Sequence, residues 1–281
     1  MQVKSGDYVT RRSYHKDIVF RVKQIFQDEN GVLSAVLKGV AIRLLADAPL
    51  DDLEALAHAE AEKIRRREHG EDMELLLKRH RENRDLRGED SFFDCPGMVL
   101  HLDGDREYME RCLEAYEKLG IPHAGLAVAE RDQPEAVSYY LEKYHPEILV
   151  ITGHDSLLKG AKDRNDLDRY RSSFYFAEAV KKARCYQPDR DALVIFAGAC
   201  QSCYEELLRA GANFASSPKR VFIHIFDPVL VIEKVAFTSI KDIVTAEEAA
   251  EATVTGAEGI GGVETRGCFR RGFPRTTEGK S

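Results

Sequence analysis

Two cysteines three residues apart, Cys200 and Cys203, close the stretch ALVIFAGACQSC, where an apolar run ends in Gly198-Ala199. Three chemistries use such a pair. A redox couple needs both thiols, a metal centre needs two further ligands, and a nucleophilic thiolate needs one cysteine and a base. Cys95, Cys112 and Cys185 stand alone, with no second closely spaced Cys/His pair, so no zinc ligand set is legible and neither metal nor cofactor is expected. A base is at hand. His154, in TGHD, lies 200 − 154 = 46 residues upstream, just past the apolar run EILVIT. It can take the Cys200 proton or hold the thiolate as an ion pair, while the backbone N–H groups of Gly153 and Cys200 form an oxyanion hole. Cys203 then reads as a helix residue packed against a sheet. Asp155 reads as structural or substrate-facing, because a chain neighbour rarely points back at the preceding ring.

These residues need elements to place them. From residue 91 onward, continuous apolar runs alternate with helical spacing: MVLHLD, HAGLAVA, EILVIT, ALVIFAGA and VFIHIF read as strands, and the segments between them as helices. That texture predicts an α/β domain over 91–281, with a doubly wound, mostly parallel sheet covered on both faces. Ligands bind such sheets beyond the carboxyl ends of the strands, near a switch in strand order. His154 and Cys200 both sit at such ends. Cys200 is expected at the start of the next helix, where the helix dipole favours a thiolate. The glycine-rich GAEGIGGVETRG lacks the spacing of a phosphate loop and reads as a turn or flap, and SSPKR at 216–220 as an exposed connection.

The first 48 residues read as short strands and turns, the rhythm of a small β-barrel of the Tudor or KOW kind. Residues 49–90 read as a charged helical linker: 51–90 holds 13 acidic and 9 basic residues without proline, and pairs such as Glu74 and Lys78 support a solvated helix. No apolar run approaches the ~18–20 residues of a membrane span, and no secretory signal is visible, so a cytoplasmic protein with reduced thiols is expected. A net charge of −7 argues against nucleic acid or an anionic membrane as partner.

Two resemblances extend this reading. His and Cys boxes about 50 residues apart, each after an apolar strand, resemble those of caspase-like peptidases. GDYVTRRSY, VLHLDGD, ILVITGHD, LVIFAGACQS, RAGANFASSP and GIGGVETRG, in that order along the chain, resemble the YabG family of sporulation-specific peptidases of spore-forming Firmicutes. That resemblance implies a cysteine endopeptidase of the mother cell, with Cys200 and His154 catalytic, that processes spore coat and cortex proteins and cuts itself. It further implies cleavage after Arg or Lys. A pocket for a basic side chain needs a carboxylate, and Asp103 and Asp105, at the end of the first predicted strand of the domain, and Asp227, after the fifth, are the candidates. Self-cleavage is expected at the Arg65–Arg67 run or in the C-terminal tail. The rival readings are a coat-assembly scaffold and a thiol oxidoreductase using Cys200 and Cys203.

Overall fold

The structure is a computed structural model describing residues 3–27, 31–85, 92–158 and 165–274. It divides into two units, Met1–Glu74 and Leu75–Ser281. The side chains of Arg65 and Arg67 and the tail after 274, where self-cleavage is expected, lie outside the described residues, as does the end of the expected linker.

The first unit is an antiparallel sheet of β1 (Tyr8–Arg11), β2 (Phe20–Gln27), β3 (Leu33–Gly39), β4 (Leu45–Pro49) and β5 (Leu53–Ala55), in the order β4-β3-β2-β1-β5. Among the described residues no β4–β5 ladder closes it into a barrel. Alternation sends Val9, Phe20, Val22, Ala35, Leu37, Ala48 and Leu53 inward to one small core. The sheet runs on to Ala55, past the boundary expected at 48, because Leu53 is needed in that core. Helix α1 (His58–Asp85) follows. The basic run of the first unit is already matched: Arg11 pairs with Asp52, and Arg12 and Lys16 with Glu54.

The second unit carries a six-stranded sheet built from β7 (Val99–Asp103), β8 (His123–Ala127), β9 (Ile148–Thr152), β10 (Val194–Ala197), β11 (Phe214–Ser216) and β13 (Ile260–Gly262), in the order β13-β11-β10-β9-β7-β8. All pairings are parallel except β11–β13. Every residue of β7, β9 and β10 is buried, as expected of strands covered on both faces. On one face Leu100, Leu102, Leu149, Ile151, Ile195 and Ala197 meet α3 (Gln133–Tyr144), α4 (Ser173–Tyr186) and α5 (Tyr204–Ala210). The other face is covered by α2 (Arg106–Leu119) and α6 (Asp227–Phe237). Short elements complete the unit: β6 (Phe93–Cys95) with β15 (Arg270–Gly272), β12 (Ile243–Val244) with β14 (Thr265–Arg266), and helices α7 (Ala246–Glu251) and α8 (Gly256–Gly259). No helix among the described residues is long and apolar enough to cross a membrane.

Three local expectations are corrected. The strand after β10 is β11 in NFAS, whereas VFIHIF is an irregular segment; its Ile223, Ile225 and Phe226 side chains are buried without a ladder, and Phe222 is exposed. The glycine-rich stretch holds α8 and the edge strand β13, and Gly262 lies so close to the β11 backbone that a Cβ there would strike Asn213 O. In the 216–220 connection Ser216 and Ser217 are buried and only Lys219 is exposed; the Arg220 guanidinium is held by Tyr170 and Glu205.

Candidate active site

The order of the five parallel-paired strands reverses at β7, which lies between β8 and β9, so the switch point falls between the ends of β7 and β9. Loops leaving those ends carry LDGD and TGHD. Their juncture is fixed from below by buried polar groups. The Thr152 hydroxyl donates to Asp103 Oδ2 (2.8 Å) and lies 3.0 Å from His101 Nε2, while Asp103 Oδ1 accepts the Asp105 N–H (2.8 Å). Gln133 Nε2 donates to the carbonyls of Thr152 (2.9 Å) and Val128 (3.1 Å), drawing in the loop after β8.

On this platform Asp105 has two tasks. Its Oδ1 caps α2 by accepting from Glu107 N–H (3.0 Å) and Tyr108 N–H (3.2 Å), and its Oδ2 lies 2.9 Å from His154 Nε2. An ionised carboxylate only accepts, so this contact puts the neutral ring's proton on Nε2 and its lone pair on Nδ1. The Nδ1 atom is buried and has no hydrogen-bond partner among the described residues. Tyr108 stands against the ring, with centroids 5.4 Å apart. The result is an oriented imidazole with a free basic nitrogen.

Cys200 arrives from the next strand. Ala197 pairs with Ile151 in the parallel β9–β10 ladder, and Cys200 and His154 each lie three residues beyond that pair, on strands about 4.8 Å apart. The chain turns sharply there. Gly198 (φ 109°) and Gln201 (φ 58°) take left-handed conformations, and a Cβ on Gly198 would meet Ser216 and Leu207. The turn is pinned by Ala199 N–H to Ser202 Oγ (2.8 Å) and by Ser216 Oγ–H to Ala199 O (2.8 Å). Helix α5 begins only at Tyr204, so Cys200 lies in this turn rather than at the helix start, and the expected dipole assistance is removed. Its Sγ accepts the Ile223 N–H at 3.3 Å, and the residue is wholly buried beneath the 221–226 segment.

One buried carboxylate joins the two loops. Asp155 accepts from Ser156 N–H and Ser172 N–H (both 2.8 Å), from Ser173 Oγ and from Ser202 Oγ (2.9 Å), and Ser173 Oγ in turn accepts the Cys203 N–H (2.8 Å). Burial pushes its pKa up, against these hydrogen bonds. Asp155 thus ties the His154 loop, the start of α4 and the Cys200 turn into one piece. Cys203 is buried beside the Tyr170 hydroxyl, and burial pushes its thiol pKa up as well.

The three aspartates considered for a substrate pocket are placed as follows. Asp103 is fully buried in the platform, and Asp105 is committed to His154 and to α2. Asp227, at the start of α6, is also fully buried and accepts from His224 N–H (2.8 Å), Val254 N–H (2.8 Å) and Thr255. Burial pushes its pKa up too. Gly153 borders the site, and its N–H forms no hydrogen bond among the described residues. Sequence reasoning missed Glu130, whose Oε1 accepts the His154 N–H at 2.8 Å. The signal for it was present: LDGD and TGHD each hold a glycine, and a Cβ on Gly104 or Gly153 would collide with the Glu130 carboxyl. A cavity of about 550 Å³ lined by Glu147, Asp191, Arg266, Cys268 and Arg270 lies at the opposite ends of β9 and β10, away from this cluster. Burial pushes the Cys268 thiol up to about 12.

Comparison with known proteins adds an independent line. The family model described as YabG peptidase U57 matches residues 4–274. The sporulation-specific protease YabG of Bacillus subtilis (strain 168) is 42% identical over 291 residues, covering 98% of this chain and 99% of that protein.

Proposed function

This chain belongs to the YabG peptidase family U57 and is a peptidase, and we propose that it works as a cysteine endopeptidase with Cys200 as nucleophile, His154 as base and Asp105 as the carboxylate that orients the base. The observation that carries this reading is the imidazole itself: Nε2 is held by Asp105 at 2.9 Å and Nδ1 is buried without a partner among the described residues, one strand away from a cysteine at the same offset.

The chemistry follows from these positions. His154 Nδ1 takes the Cys200 proton, and the thiolate attacks the carbonyl carbon of the scissile peptide bond. The N–H groups of Gly153 and Cys200 stabilise the oxyanion. His154 returns the proton to the leaving amine as the C–N bond breaks, leaving a thioester on Cys200. Water, deprotonated by His154, then attacks the thioester, releasing the carboxylate and restoring the thiol. The 221–226 segment covers Cys200, so substrate must displace it for attack to occur. The family supports a protein substrate and a role in sporulation. We extend this to spore coat and cortex proteins cut in the mother cell after Arg or Lys, and to self-cleavage. The sheet, with its His and Cys loops on adjacent strands, supports the caspase-like reading of the fold. A redox couple is disfavoured by the Cys203 thiol, because burial raises its pKa and an exchanging thiol needs the reverse.

The test is a mass-spectrometric time course of wild type, Cys200→Ala, His154→Ala and Cys203→Ala under reducing conditions, each with an arginine-rich protein. Fragments ending in Arg or Lys are expected from wild type and Cys203→Ala alone. Cleavage that persists in Cys200→Ala removes the nucleophile assignment.

A further inference from the structure

Glu130 opens the 3-10 turn Glu130–Asp132 after β8, and its carboxyl reaches back over the ends of β7 and β9. Neither Gly104 nor Gly153 has a left-handed φ, so backbone conformation does not call for glycine at either position. What calls for it is room, since the carboxyl occupies the place where both Cβ atoms would stand. Two loops have given up a side chain to admit one carboxylate beside His154.

That carboxylate is only half used. Oε1 accepts the His154 N–H, and Oε2 has no hydrogen bond or ion pair among the described residues. The adjacent Arg131 is turned to Asp132, with its Nε 3.5 Å from Oδ1. Among the described residues this oxygen meets no cation, and a guanidinium or ammonium is the group that pairs with a carboxylate. The other carboxylates of the site are already occupied: Asp103 by Thr152, Asp105 by His154, and Asp155 by the serines. The reach also fits. Glu130 touches the backbone of His154, one strand of about 4.8 Å from the Cys200 strand. An extended arginine side chain spans about 6 Å beyond its Cα at ordinary bond lengths.

We propose that Glu130 is the specificity carboxylate, receiving on Oε2 the basic side chain that precedes the scissile bond. This assignment rests on the reading of cleavage after Arg or Lys. Because Glu130 also holds the His154 N–H, its test must separate recognition from positioning, and a ratio does so. Two fluorogenic peptides identical except for arginine or uncharged citrulline before the scissile bond are given to wild type and to Glu130→Gln, which keeps an acceptor for His154. Wild type is expected to favour arginine in kcat/KM, and in Glu130→Gln this preference falls by about 10- to 100-fold, the worth of one charge-assisted hydrogen bond. The same pair is bound to Cys200→Ala and to Cys200→Ala/Glu130→Gln by calorimetry, so that the ratio is read even if turnover is lost. A preference retained in the Glu130→Gln chains overturns the assignment. No preference for arginine in wild type overturns instead the basic-residue reading on which it rests.

Discussion

His154 is gripped at two points by carboxylates from two different loops: Asp105 on the ring and Glu130 on the backbone. The ring contact decides which nitrogen keeps its lone pair. Asp105→Asn keeps a side-chain oxygen to cap α2 but turns an amide N–H toward Nε2, which favours the tautomer with its proton on Nδ1. The variant should fold normally and lose about 10²- to 10⁴-fold in kcat with little change in KM. Steady-state kinetics on one peptide decides this, and a kcat within twofold of wild type would remove Asp105 from the machinery. At this scale residue type and a place just after a strand nominated Cys200 and His154, the nucleophile and base proposed above. Asp103, Asp105, Asp155 and Glu130 are alike in kind, and only the packing of four loops shows which one touches the imidazole, which the platform and which the serines.

The loops hold their places because the elements beneath them are locked together at the other end of the sheet. Arg184, near the end of α4, donates to the carbonyls of Gly211 (2.8 Å), Leu193 (2.8 Å), Gln187 (3.2 Å) and Asp189 (3.4 Å), and to Asn213 Oδ1 (2.7 Å). Burial, and then the nearby Arg190 charge, lower its pKa to about 10, still cationic at neutral pH. One guanidinium therefore joins the ends of α4 and α5 to the starts of β10 and β11. Arg184→Met keeps much of the volume, strands these acceptors and should cost about 3 kcal/mol. Urea unfolding reads this directly, and an unchanged midpoint would show that the clamp contributes nothing. The strands β7, β9 and β10 were legible because strands buried on both faces write continuous apolar runs. VFIHIF writes the same signal for another reason: Ile223, Ile225 and Phe226 are buried without a ladder, and the Ile223 N–H donates to Cys200 Sγ. Hydrophobicity reports burial, and here burial was mistaken for pairing. The true neighbour of β10, NFAS, is too short to announce itself.

At the scale of the whole molecule, the second unit is a six-stranded, mostly parallel α/β unit with LDGD and TGHD at its switch point and the Cys200 turn after the neighbouring β10, and the first is a small antiparallel sheet with its own core. In the first unit Arg11 is paired with Asp52, and Arg12 and Lys16 with Glu54. The second unit brings LDGD, TGHD and the Cys200 turn together although they lie about 50 residues apart in the chain, and this convergence underlies the central claim that Cys200 is a nucleophile served by His154. The most direct measurement is covalent trapping of the full chain with a peptidyl chloromethyl ketone ending in arginine, with the adduct located by tandem mass spectrometry. The account predicts one adduct, on Cys200, formed in wild type and Cys203→Ala and strongly slowed in His154→Ala. An adduct on any other residue, or undiminished labelling of Cys200 in His154→Ala, would contradict it.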